Sequence, residues 1–298
     1  MPLPAAASEF LERIEVRLAG HAPRPRIVFP EGEDPRVREA AHRLAARGLV
    51  EPVLVPRVIT DDAAAERYAA LYYEHRRHRG VTQREARHAA RRPLDFAALM
   101  VAAGDAEGFV GGAANSTAET VRAALHAIGP APGVKTISSF FVMAVPDRRT
   151  GCHGLSIAAD CAVVIAPNAA QLADIAIMAA ASTRLAFECE PVLALLPARD
   201  PALSEDAARL IRARAPQLDL RTGDDAFDPR ANALVYPDLN AANTGYKLIE
   251  WLGGGSAFGP MLQGLNRPAN DLSRACSAAD IYTVALITAL QAHAQVPA

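Results

Sequence analysis

Lysine is almost missing from this 298-residue chain: Lys135 and Lys247 are the two it has, and arginine supplies the other 29 of 31 basic residues. With the abundance of Ala and Pro, this reflects codon bias rather than function. Net charge is also nearly absent, at −2, so there is no global basic field and nucleic acid is not an expected partner. Long apolar runs are lacking. The N-terminal MPLPAAASEFLERIEVRLAG carries acidic residues early, which fits neither a signal peptide nor a membrane anchor. No CxxC pair occurs. Cys152, Cys161, Cys189 and Cys276 are scattered and read as reduced thiols of a cytoplasmic protein, not a disulfide frame. Cys152 and His153 are adjacent, which suits neither metal-ligand spacing nor one helix face, so no metal site is expected. What the chain does have is 51% hydrophobic content, ample for a large core and more in keeping with two lobes than one.

Short apolar runs alternate with Ala-rich segments of helical length. Strands are expected at Arg26–Phe29, Pro52–Val55, Gly108–Gly112, Thr136–Met143, Cys161–Ile165, Val192–Leu196 and Ala233–Tyr236. The alternation predicts an α/β fold with mainly parallel sheets and helices on both faces. Thr82–Glu85, Ser116–Glu119 and Asn168–Gln171 have the spacing of capping boxes, in which a side-chain oxygen and an acid or amide satisfy each other's orphan amides. Ala198–Arg230 mixes charge with Pro216 and Pro229 and reads as a loosely decorated surface segment.

Three motifs carry chemistry. Gln263–Asp280, QGLNRPANDLSRACSAAD, gathers Asn266, Arg267, Asn270, Asp271, Ser273, Arg274, Ser277 and Asp280. It reads as too polar for a core. A Ser–Arg pair beside a carboxylate, just before an apolar helix, is what phosphate binding plus proton abstraction require. Ser277–Asp280 is also a capping-box pattern, so Asp280 reads equally as a helix cap. Gly111–Arg122, GGAANSTAETVR, takes a strand through glycines into a helix whose first amides and dipole suit an anion, with Asn115, Ser116 and Thr117 at its mouth. An ordinary capped turn has the same pattern, and no Lys follows the last Gly as a P-loop demands. Tyr236–Lys247, YPDLNAANTGYK, places Asp238, Asn240, Asn243 and Lys247 after a strand, where open α/β sheets bind ligands; a polar loop with an Asn N-cap reads the same way. Gly253–Gly259 follows a helix and has Phe258 where a third glycine belongs, which sets aside dinucleotide binding. Cys161 reads as a small buried hydrophobe.

Taken in order, RIVFPEGEDPRVREAA, DFAALMVAAGDAEGFVGGAANSTAETVRAAL, VKTISSFFVMAVP, ADCAVVIAPNAAQLADIAI, VYPDLNAANTGYK and FGPMLQGLNRPANDLSRACSAADI resemble the phosphate acetyltransferase and phosphate butyryltransferase family over most of the chain. The resemblance implies two three-layer α/β domains with the active cleft between them. The first would comprise residues 1–148 plus 261–298 and the inserted second 149–260. It implies transfer of an acetyl or other short acyl group between coenzyme A and orthophosphate, by direct thiolate attack on an acyl phosphate. Ser273 and Arg274 would hold the phosphate and Asp280 would take the thiol proton. Asn115, Ser116, Thr117, Lys135, Cys161, Asp238, Asn240, Asn243, Lys247 and Asn270 are the expected substrate contacts, with Arg91 and Arg92 as further phosphate candidates. No cofactor is implied, coenzyme A being a substrate. The expected partners are coenzyme A, acyl phosphate and phosphate, with no nucleic acid and no membrane, and the expected assembly is a homodimer. Asn115 stands where the family has His, and Gly111 where it has Ser. The chain is shortened across 197–237, which leaves a non-catalytic paralogue binding acyl-CoA or an anion, or a butyryltransferase, as alternatives.

Overall fold

The computed structural model describes residues 3–20 and 22–295, and it has an α/β fold. In chain order the elements are α1 (Ala5–Ala19), β1 (Arg26–Phe29), α2 (Pro35–Ala46), β2 (Glu51–Leu54), α3 (Asp62–Arg76), α4 (Gln83–Ala89), α5 (Pro93–Ala103), β3 (Gly108–Gly111), α6 (Thr117–Ala127) and β4 (Ser138–Ala144). They continue with β5 (Leu155–Ala159), α7 (Ala169–Phe187), β6 (Val192–Leu195), α8 (Pro201–Arg214), β7 (Asp219–Thr222), β8 (Ala233–Val235), α9 (Leu239–Trp251), β9 (Ser256–Gln263), β10 (Ala269–Asp271) and α10 (Ala278–Gln295). The chain forms two compact units, one of residues 14–133 with 265–298 and the other of residues 1–13 with 134–264.

In the first unit β2, β1, β3 and β10 pair in that order, all parallel. β3 is buried along its whole length, as a strand covered on both faces must be. Helices α2 and α10 pack together in one layer, and α3, α5 and α6 in another. α2 shows why the sequence folds this way locally. Asp34 caps it by accepting from the Arg36 amide, Pro35 opens it, and Val37, Ala40, Ala41 and Leu44 form the buried stripe at helical spacing. The chain leaves β1 through α2 on one layer and leaves β3 through α6 on the other. The crevice between those strands is therefore a switch point, where open α/β sheets bind ligands.

The second unit has the order β9, β4, β5, β8, β6, β7. β4 runs antiparallel to both β5 and β9, and the remaining pairings are parallel. These two antiparallel pairings explain the unit boundaries. β4 is bonded on both sides within the second unit, so the division falls at 133/134 and 264/265 rather than at 148/149 and 260/261.

Several expectations are corrected. Cys161–Ile165 is a loop, not a strand, because the buried Asp160 carboxylate gathers its amides: Asp160 Oδ1 accepts from Ala162 (3.1 Å) and Oδ2 from Val164 (2.7 Å). The strand there is β5, one step earlier. Ala198–Arg230 is an ordered helix, strand and 3-10 turn. Gln263–Asp280 does enter the core: β10 is wholly buried, with Asn270 and Asp271 at 0% exposure. The four cysteines are not all free, since Cys152 and Cys189 form a disulfide, Cα atoms 6.6 Å apart, while Cys161 and Cys276 are buried thiols. Among the described residues no helix is long and apolar enough to cross a membrane.

Candidate active site

Three neighbouring parallel strands of the first unit end together. β1 runs out into Pro30–Glu31, β3 into Gly111–Gly112 and β10 into Asp271–Leu272. The Gly112 turn is wedged between the other two. Gly112 has φ +107°, and a Cβ there would lie 2.4 Å from Asp271 Oδ1 and 2.7 Å from the Leu272 carbonyl oxygen, so no other residue fits. On the opposite side Glu31 Oε1 accepts from the Gly112 amide (2.9 Å), the Ala114 amide (3.4 Å) and Asn115 Nδ2 (2.7 Å). The Ser116–Glu119 capping box then starts α6, with the Ser116 amide and hydroxyl donating to Glu119 Oε2. The expectation of free amides at this turn is thereby corrected for Gly112, Ala114 and Ser116, whose N–H groups are spent on carboxylates.

Arg36 joins this turn to the Ser273–Arg274 loop. Its guanidinium donates to the Ala113 carbonyl (2.8 Å), to those of Arg274 (2.8 Å) and Cys276 (2.9 Å), and to the Asp34 carboxylate (2.7 Å). Sequence reasoning missed Arg36, although it lies inside the quoted stretch RIVFPEGEDPRVREAA. Ser273 and Arg274 are exposed. Arg274 lies near enough to Glu119 to help hold that carboxyl below its ordinary range, after the larger effect of the Ser116 cap. Asp280 adopts the capping geometry in full: its Oδ2 accepts from the Ser277 amide and hydroxyl, both at 2.8 Å, and its own amide donates to Ser277 Oγ at 3.2 Å.

A cleft of about 610 Å³ opens beside the turn, lined by Glu31, Asn115, Glu119, Arg57, Arg92 and Arg122 among others. Arg92 pairs with the buried Asp95 at 2.7 Å. Burial pushes the Asp95 carboxyl up, against the pull of Arg92. His126, whose Nδ1 lies 3.2 Å from the Tyr72 hydroxyl, is lowered by burial and then by the charges of Arg76, Arg122 and Arg92. Burial and these three positive charges both favour the neutral imidazole. Arg122 and Arg76 were not singled out from the sequence, although Arg122 closes the motif GGAANSTAETVR. Arg91, a sequence candidate, pairs instead with Asp62 (2.7 Å).

The remaining expected residues fall elsewhere. Asn270 is turned into the core, its Nδ2 donating to Thr288 (2.8 Å) and Gln291 (2.7 Å) of α10. In the second unit Asp238 is the N-cap of α9, accepting from the Ala241 amide at 2.8 Å, so the cap is Asp rather than Asn. Asn243 donates back to the Leu239 carbonyl at 2.9 Å. Asn240, Asn243, Thr244 and Lys247 line a hollow of about 380 Å³ with Leu248 and Trp251. Lys135 is exposed on the approach to β4. Cys161 is 4% exposed and packs with Met143, Tyr236 and Ala242. Its thiol donates to the Ala158 carbonyl, and burial, with Asp160 adding, pushes it far above its ordinary range, which removes it as a nucleophile.

The profile of the family described as phosphate acetyl/butaryl transferase matches residues 9–219 and 200–289. A phosphate acetyltransferase of Paracoccus denitrificans is 43% identical over 89% of this chain and 94% of its own length. One from Bacillus subtilis is 37% identical over 90% and 94%. Among solved structures, a phosphotransacetylase from Streptococcus pyogenes superposes with a TM-score of 0.83 at 31% identity, covering 96% of this chain and 99% of that one. A branched-chain phosphotransacylase from Enterococcus faecalis shares the fold at 16% identity, with a TM-score of 0.62.

Proposed function

The chain belongs to the phosphate acetyl/butaryl transferase family, and from that premise we propose that it moves an acetyl, or another short acyl group, between coenzyme A and orthophosphate. The observation that carries this reading is the joining of the Ser273–Arg274 loop to the β3–α6 turn by Arg36, beside a cleft that holds Arg92 and Arg122. Guanidinium forks match phosphate oxygens two at a time, and a cluster of them neutralises the charge that a phosphate leaving group develops.

In the proposed reaction Arg274 and Ser273 hold the acyl phosphate. Asp280 Oδ2 is held by Ser277, and Oδ1 takes the proton from the coenzyme A thiol. The thiolate sulfur attacks the acyl carbon, a C–S bond forms, the C–O bond to phosphate breaks, and orthophosphate leaves with the bonding pair. Asp280 returns its proton to solvent. No covalent enzyme intermediate is required, and the buried Cys161 thiol supports that economy of steps. Coenzyme A enters as substrate, with no further cofactor. Lys247, Asn240 and Asn243 are assigned to a weaker polar contact with substrate. The same reading makes the protein a cytoplasmic homodimer without nucleic-acid or membrane partners. Its experiment is thioester formation from coenzyme A and acetyl phosphate, followed by ultraviolet absorbance; tight coenzyme binding with no thioester from acetyl, propionyl or butyryl phosphate overturns it and leaves a binding protein.

A further inference from the structure

Asp271 is a fully buried carboxylate at this crossing of strands, and no donor reaches full hydrogen-bond geometry on Oδ1 or Oδ2, although the Thr117 and Thr120 hydroxyls and the Leu272 amide lie beside it. A buried ionised carboxylate with weak donors is costly, and proteins relieve it by raising the pKa and keeping the proton. The surroundings of Asp271 agree. From the β1–α2 turn comes Glu31, whose Oε2 is likewise buried without a partner and whose charge acts on Asp271. β3 brings no ionisable side chain, only the Gly112 backbone. α6 presents the Thr117 and Thr120 hydroxyls to Asp271, Thr120 also donating to the Ser116 carbonyl (3.2 Å), and the charged Glu119 and Arg122 line the cleft. From the loop that follows come Arg274, which is exposed, and Cys276, a neutral buried thiol. α10 begins with Asp280, which is held by Ser277. Burial, with Glu31 adding, pushes the Asp271 carboxyl up to about 6, against the weaker pull of the two threonines and the Leu272 amide.

We propose, resting on the acyl-phosphate reading above, that Asp271 is a positioning residue that works as the neutral acid: protonated, it lets the Gly112 turn close against the carboxyl end of β10, and ionised, it sets a second buried negative charge beside Glu31 and against any anion held at the turn. The site that must receive phosphate is built around two adjacent carboxyl groups, and a single proton between them decides whether it repels its ligand. Asp271 touches neither substrate nor reacting atoms; it acts through Gly112 and through Leu272, which leads directly into Ser273.

The test uses inorganic phosphate as probe and the intact chain. Calorimetric affinity is measured between pH 5 and pH 8 for the unaltered protein, Asp271→Asn and Glu31→Gln. Phosphate ionises in the same range, and the ratio of variant to unaltered protein at each pH removes that contribution. The asparagine copies the neutral acid, so the affinity ratio should favour Asp271→Asn increasingly as pH rises, by about five- to tenfold at pH 8. Glu31→Gln removes a neighbouring like charge, which eases ionisation of Asp271, so the midpoint of the unaltered profile should move downward. Infrared difference spectra between pH 5 and pH 8 supply a readout free of ligand, a protonated-carboxyl band that is absent in Asp271→Asn. A pH-independent affinity ratio, or a band that survives in Asp271→Asn, overturns the proposal. Should Asp271→Asn fail to fold, the Glu31→Gln midpoint decides, and an unmoved midpoint overturns it. If phosphate binding behaves as expected while no acetyl-CoA forms, the role of Asp271 stands and the acyl-transfer reading falls.

Discussion

The turn from β3 into α6 and the turn from β8 into α9 both leave the carboxyl end of a parallel strand and both enter a capped helix. The first spends its Gly112, Ala114 and Ser116 amides on Glu31 and Glu119, yet it lies among Arg36, Arg92, Arg122 and Arg274. The second spends the Ala241 amide on Asp238 and has Lys247 as the cation lining its hollow. A strand-to-helix turn is therefore not by itself an anion site. In the first unit the positive charge comes from side chains on several separate segments, two of which Arg36 ties together, and the helix amides serve mainly to build the turn.

The sharpest break of this comparison is Asp280→Asn. If the first turn carries the chemistry, turnover falls by about 10²–10⁴-fold with the fold intact. Unchanged turnover with helix stability lower by about 1 kcal/mol shows that the Ser277 cap is all Asp280 does. Arg274→Gln comes next: the Michaelis constant for acyl phosphate should rise by about tenfold or more, and that for coenzyme A much less, because a neutral amide does not replace a guanidinium fork. Equal changes in both constants count against a phosphate role.

Gly112→Ala tests the packing of the turn. Its Cβ would meet Asp271 Oδ1 and the Leu272 backbone at positive φ, so stability should drop by about 2–3 kcal/mol in denaturant titrations. A loss of a few tenths would mean that the turn is loose. Ser116→Ala removes one half of a capping box and should cost about 1 kcal/mol, with no selective change in either Michaelis constant. Smallest of all is Lys247→Ala. A single exposed ammonium over the Tyr246 ring, 5.8 Å from its centroid, should weaken coenzyme A binding by about two- to threefold. A larger effect than that of Arg274→Gln would reverse the ranking of the two turns.

Much of the fold was legible because local rules act on contiguous residues. The bounds of β1 match the expected Arg26–Phe29, and the boxes at Thr82, Ser116 and Asn168 form as their spacing demands. Legibility failed where a particular side-chain contact overrides backbone propensity. CAVVI has the composition of a strand, but the Asp160 carboxylate folds its amides into a loop. β10 is short and polar, and it joins the core because Asn270 finds Thr288 and Gln291 on a helix that follows it. Cys152 and Cys189 lie 37 residues apart, and nothing in their spacing pairs them.

The sequence by itself determined the α/β class, the capped helices and the candidate Ser273–Arg274–Asp280 run, since periodicity, capping and motif order are all properties of neighbours along the chain. Only the tertiary structure decided that Arg36 ties Ala113 to Arg274, that the charges of Arg76, Arg92 and Arg122 act on the half-buried His126, that Asn270 points inward, and that Asp271 lies buried beside Gly112. The physical reason is that burial and charge are set by what closes over a residue, and here the closing groups come from other strands and helices, Arg36 and Arg274 being 238 residues apart in the chain.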